Sequence, residues 1–205
     1  MRSFKILLWS FLLLIFCISA LSASSISTQK GEISAQIDIE YWSPYGDLDE
    51  YWNPHRIGAG IEFNIEYIPR IDLVFGISEH EFEPSYANSV ILVPDLWILA
   101  IKGGVKGIVL QTSSENCFLE GGFLWVITSF SSDEIAFPGH SARESEGGVY
   151  VGVGVDITVW RSWSLQCTCR GNRVFTQPEQ MSWFSVGIGV RKTWSNLNII
   201  RELVP

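Results

Sequence analysis

Three histidines, His55, His80 and His140, supply the chain's general acid–base chemistry. His140-Ser141 with Glu144, or His80 with Glu79 and Glu81, has the residue types of an envelope lipid-modifying enzyme. Neither spacing puts a nucleophile within hydrogen-bond reach of a base, so no catalytic residue is assigned and the chain is not expected to be an enzyme. All three histidines fall in or beside stretches expected to be external loops. Cys167 and Cys169 share one face of an extended segment, at or beyond disulfide reach, and Cys117 belongs two strands away. No histidine neighbours these thiols in sequence. They read as small apolar side chains, and neither a metal nor a cofactor is expected. The acidic and aromatic segment Tyr45–Trp52 (YGDLDEYW) offers Asp47, Asp49 and Glu50 as oxygen ligands. It lacks the ligand spacing of a calcium loop. It reads as an external loop with Tyr51 and Trp52 at headgroup level. Gly-x-Gly pairs recur, but no helix follows them, so they are not phosphate loops.

The elements carrying these residues follow from composition and periodicity. The 205 residues are 47% hydrophobic and 18% charged, which excludes global disorder. The net charge is −8, and an acidic chain is a poor candidate for nucleic-acid binding. Met1–Ala23 reads as a secretory signal peptide. Arg2 and Lys5 precede a nearly unbroken apolar run from Ile6 to Leu21, and small residues follow. Cys17 lacks the small preceding residue of a lipoprotein signal. Removing Arg2 and Lys5 leaves 12 basic residues (14 − 2) against 22 acidic ones, or −10. No second apolar stretch is long enough for a spanning helix. The expected mature domain, 24–205, is therefore either soluble outside the cytoplasm or a membrane β-barrel.

Strict period-two alternation predicts eight strands of about ten residues within roughly 31–194. In the first, Ile33, Ala35, Ile37, Ile39 and Tyr41 alternate with Glu32, Ser34, Gln36, Asp38 and Glu40. In the second, Ile57 to Tyr67 alternate with Gly58, Gly60, Glu62, Asn64 and Glu66. The third carries Ile71, Leu73, Phe75 and Ile77, and the fourth sets Trp97, Leu99, Ile101 and Val105 against Lys102, Gly104 and Lys106. The fifth sets Leu119, Phe123 and Trp125 against Glu120 and Gly122. The sixth sets Val149 to Val159 against Tyr150, Gly152, Gly154 and Asp156. The seventh carries Trp163, Leu165, Cys167 and Cys169 opposite Arg170, and the eighth sets Phe184 to Val190 against Gly187, Gly189 and Arg191. The links alternate in length: long over Ser43–Arg56, Glu79–Asp95 and Ser129–Glu146, short at Ile68-Pro69-Arg70, Gln111–Asn116 and Trp160-Arg161-Ser162, with the last, Gly171–Gln180, intermediate. Outer-membrane barrels alternate in the same way, with short periplasmic turns and longer external loops.

Which face points outward separates two readings. A secreted soluble barrel would line an apolar ligand cavity with the apolar face. A membrane barrel would turn that face to lipid. The polar face is rich in glycine, which a water-facing strand gains nothing from but a narrow interior needs. It also carries charges of both signs: Asp38, Glu40, Glu62, Glu66, Glu120 and Asp156 with Lys102, Lys106, Arg170 and Arg191. A lumen would force these into a paired network. Tyr41, Trp97 and Trp125 gather at the long-loop end, and Tyr67, Trp163 and Trp194 at the short-turn end, as two interfacial aromatic girdles would. Lys and Arg are missing from nearly every apolar-face position.

The segments Gly147–Asp156 (GGVYVGVGVD) and Ser185–Trp194 (SVGIGVRKTW) carry a resemblance. The chain resembles the small eight-stranded outer-membrane β-barrel proteins of Gram-negative bacteria, the porin-like type. The resemblance implies an all-β, antiparallel up-and-down transmembrane barrel with both mature ends periplasmic. It implies outer-membrane lipid as surroundings and the barrel-assembly machinery as a partner, with Val190, Lys192 and Trp194 as the assembly signal. The tail Ser195–Pro205 departs from the family pattern, which commonly stops at the aromatic. Eight strands enclose just enough room for their own side chains. The expected role is therefore structural or surface-interaction, through the external loops, and not an open diffusion pore.

Overall fold

A computed structural model describes residues 32–45, 57–83, 95–130, 143–175 and 181–195. The expected signal peptide, His55, His140, residues 46–52 of the acidic loop and the tail beyond Ser195 lie outside the described residues. The strands are β1 (Glu32–Tyr45), β2 (Ile57–Ile68), β3 (Ile71–Phe82), β4 (Leu96–Gln111), β5 (Glu115–Phe130), β6 (Arg143–Trp160), β7 (Trp163–Val174) and β8 (Met181–Ser195). Each pairs antiparallel with its neighbour, and β8 returns to β1 to close a barrel. That seam runs from Glu32 opposite Ser195 to Tyr45 opposite Ser182. Closure leaves no unpaired edge.

The apolar parity faces outward. Ile37, Ile39, Phe75, Phe123, Val151 and Ile188 are exposed, Phe123 to 75%. The charged parity faces the lumen: Asp38, Glu40, Glu62, Lys102, Lys106, Glu120, Asp156 and Arg170 are all buried. Glycine on the inner parity makes this interior possible. Gly104 and Gly122 are cross-strand partners, and the backbones crowd so closely that a side chain on either would strike the other strand.

The three short turns share one construction. Each follows a register irregularity, between Glu66 and Ile68, Ile108 and Leu110, or Thr158 and Trp160. A bulge increases local twist and lets the hairpin close. Arg70 (φ 72°) and Arg161 (φ 49°) take the left-handed corner that glycine usually supplies. In the middle turn the Thr112 hydroxyl accepts the Glu115 amide at 3.0 Å.

The strands are longer than the alternation predicts, 12 residues in β2 and 18 in β6. The extra length lies at the long-loop end. There β3 runs to Phe82 and β6 begins at Arg143, inside stretches read as loops. The cause is an inversion of phase. Period two persists, but Glu79, Glu81, Ser129 and Arg143 now alternate with inward Phe82, Leu96, Ile98 and Val126. Beyond the apolar band the outside is polar and the inside is a small dry core.

Candidate functional site

The lumen is the candidate site, and its side chains form three levels. At mid-height Arg170 of β7 reaches three carboxylates on three other strands. Its Nη1 donates to Glu40 Oε1 at 2.6 Å, its Nη2 to Glu62 Oε2 at 2.8 Å, and its Nε to Glu120 Oε1. Lys102 Nζ lies 2.7 Å from Glu62 Oε2 and 3.9 Å from Glu40 Oε1. Lys106 Nζ donates to Glu62 Oε1 at 3.0 Å and to Gln166 Oε1 at 3.2 Å. It also lies over the Phe118 ring, 4.4 Å from the centroid. Asp38 is a longer-range partner, with Oδ2 3.9 Å from Arg170 Nη1. The planar guanidinium suits this hub, because its fork of donors meets several acceptors at once.

Toward the short turns lies a second, smaller ion cluster. Arg191 Nη1 donates to Asp156 Oδ2 at 2.5 Å and Nε to Ser34 Oγ at 2.7 Å, while Nη2 lies 3.5 Å from Asp72 Oδ2. Below it the lumen opens into a recess of about 590 Å³ at the short-turn mouth, lined in part by Glu66, Arg70 and Arg161.

Toward the long loops the lumen turns apolar. Trp42, Phe82, Leu96, Ile98, Leu124 and Trp183 belong to one buried cluster, with Tyr150 and Val174. The Trp42 ring stacks on Trp183 at 4.8 Å and on His80 at 3.4 Å, and its Nε1 donates to Glu40 Oε2 at 2.7 Å. Trp42 thus joins the apolar cap to the ion network. The His80 ring fills the space above Gly58, which has no Cβ to contest it.

Gly58→Ala is expected to destabilise the barrel by about 1–3 kcal/mol, the usual range for overpacking. His80 cannot yield, because Trp42 backs its other face. Urea unfolding in lipid vesicles measures the cost, and a changed His80 ring environment in NMR would accompany it.

Three sequence expectations need correction. His80 is no loop residue: it is 1% exposed and faces the lumen. Glu79 and Glu81 have the opposite parity and face outward, so strand geometry separates them from His80. The inner charges form two clusters rather than one network, and Asp72 joins Arg191 in the lower one. Glu66 belongs to neither; it accepts the Glu32 amide at 3.3 Å beside the short-turn mouth.

The apolar cap was not read from the sequence. Its signal was there, in runs apolar at both parities such as Leu96–Ile101 and Phe123–Ile127. Such runs mark strands with apolar surroundings on both faces.

Of the six girdle aromatics, Tyr41, Tyr67, Trp125 and Trp163 are exposed outward. Trp97 and Trp194 are half-buried. Trp97 Nε1 donates to the outward carboxylate of Glu79 at 2.8 Å. Cys117, Cys167 and Cys169 are free thiols, with Val155 of β6 standing between Cys117 and Cys167 in register.

The architecture is that of the small eight-stranded outer-membrane β-barrels. NspA, a Neisserial surface protein, superimposes with a TM-score of 0.59 at 14% identity, over 78% of this chain and 96% of its own. Ail, the attachment invasion locus protein of Yersinia pestis, gives 0.54 at 14% identity, over 81% of this chain and 100% of its own. The outer-membrane protein OprG of Pseudomonas aeruginosa gives 0.53 at 10% identity, over 80% and 96%. No family profile matches the sequence, and no curated protein matches it.

Proposed function

We propose that the chain is an outer-membrane barrel with a structural or surface-interaction role, exported by its signal peptide, and not an open diffusion pore. One observation carries this: the lumen is occupied at mid-height by the Arg170 network and above it by the Trp42 cap. A solute would have to displace both a multiply bonded guanidinium and a packed aromatic stack. The strands hold long loops at one end only, which directs interaction with other molecules to that end. The fold likeness to an attachment invasion locus protein and to a surface protein agrees with that assignment.

Two rival roles lose support from side-chain placement. A soluble carrier needs its apolar parity inside at mid-height, where this lumen carries charge. A lipid-modifying enzyme built on His80 needs that ring at a rim, beside its carboxylates.

The test has two parts. Outer-membrane fractions run unboiled and boiled on detergent gels are expected to give a heat-modifiable band. The purified barrel in planar bilayers is expected to give no steady conductance. A soluble periplasmic protein without a band shift would defeat the membrane assignment. Steady ohmic channels would defeat the closed-lumen assignment alone.

A further inference from the structure

One basic residue sits on the outward face of the apolar band near the short turns. Lys192 of β8 has outward parity, between Val190 and Trp194. Its cross-strand partners are Trp163 on β7 and Ala35 on β1. Its Nζ lies 5.3 Å from the Trp163 ring centroid and 5.4 Å from that of Trp194. Both distances are within cation–π range. On the adjoining turn the Arg161 guanidinium lies over the Trp160 ring at 5.1 Å. The Thr193 amide donates to the Ser162 carbonyl at 2.9 Å, which fixes β8 against that turn.

The chemistry here is one-sided. Among the described residues, none of the outward-facing positions beside Lys192 is a carboxylate. Two indole faces attract the ammonium, but ring faces do not replace strong acceptors for its three N–H groups. A cation on the lipid face of a barrel is tolerated near the interface and penalised at mid-depth. The acceptor available at interfacial depth is the lipid phosphate, and the Arg161 guanidinium supplies a second cation on the adjoining turn. The apolar surface of Val190, Ile37 and Leu165 continues from the ammonium toward the middle of the band.

We propose that Lys192, held between Trp163 and Trp194 with Arg161 on the adjoining turn, binds the phosphate of an anionic glycerophospholipid in the leaflet at the short-turn end. This rests on the outer-membrane assignment. The test is native mass spectrometry of the full detergent-purified barrel, titrated with phosphatidylglycerol and separately with phosphatidylcholine. Wild type is expected to retain one phosphatidylglycerol in preference to phosphatidylcholine. Lys192→Gln is expected to bind it about fivefold more weakly, the effect of one basic residue at an anionic surface. Lys192→Arg is expected to keep most of the binding. Excess inorganic phosphate is expected to leave the lipid in place, because the acyl chains contribute to its retention.

Equal binding by Lys192→Gln, no preference for the anionic lipid, or displacement by inorganic phosphate would each overturn the lipid site. A heat-modifiable band from every variant shows that the barrel has assembled. A wild-type barrel with that band intact but no preference for the anionic lipid sinks this proposal alone, whereas a soluble wild-type protein sinks the outer-membrane assignment too.

Discussion

Replacing Arg170 with methionine is expected to cost the barrel about 3–5 kcal/mol, or more, because it strands buried carboxylates. Glu40, Glu62 and Glu120 each receive one of its nitrogens, and all are buried. Lys102 and Lys106 remain near Glu62, but among the described residues no other cation is bonded to Glu120. The loss should therefore fall hardest there. Arg170→Lys keeps the charge but cannot reach three acceptors with a planar fork, so it should lie between wild type and Arg170→Met. Adding Glu120→Gln to Arg170→Met should recover part of the loss, because it removes the buried carboxylate left without a bonded cation. Urea unfolding in lipid vesicles gives the free energies. A cost below about 1 kcal/mol for Arg170→Met, the scale of an exposed pair, would mean that Arg170 is not the hub.

Trp42→Ala should destabilise by about 3–5 kcal/mol, the range for deleting a buried large aromatic. It removes two stacking contacts and leaves Glu40 Oε2 without its indole donor. Trp42→Phe separates the two contributions. It keeps a stacked ring and loses the N–H with part of the indole's bulk, so it should cost less than Trp42→Ala and about 1.5–3 kcal/mol, the range for a hydrogen bond to a charged group. Neither variant should conduct in planar bilayers, because the Arg170 network lies below the cap. Steady current through Trp42→Ala would show that the cap alone closes the lumen.

The strands and the inward direction of the charged face were legible because the two sides of a closed barrel wall impose opposite demands on alternate residues. Ile37 and Asp38 are adjacent in sequence and lie on opposite sides of the wall. The pairing of the charges was not legible. Parity puts Arg170 and Glu120 in one lumen, yet only register and side-chain reach decide that Arg170 takes Glu120 while Arg191 takes Asp156. His80 misled for a different reason. A histidine flanked by glutamates reads as a solvated loop when one assumes that polar neighbours share an environment. Above the apolar band, polar side chains replace apolar ones outside and apolar side chains replace charge inside. Polarity then alternates in the reverse sense, and the histidine faces the dry side.

The Arg170 hub also bears on how the barrel comes to be closed. Its bond to Glu40 joins residues 130 apart, across a strand, β8, that must first zip onto β1. An open sheet can form every hairpin and still leave Glu40 without Arg170. Local pairings can accumulate early, while the contacts of longest sequence separation form only once the chain ends have met. Such a topology belongs to the slow-folding, non-local class. The same guanidinium then resists reopening: peeling β8 from β1 would break its bond to Glu40, so the seam and the network should be lost together.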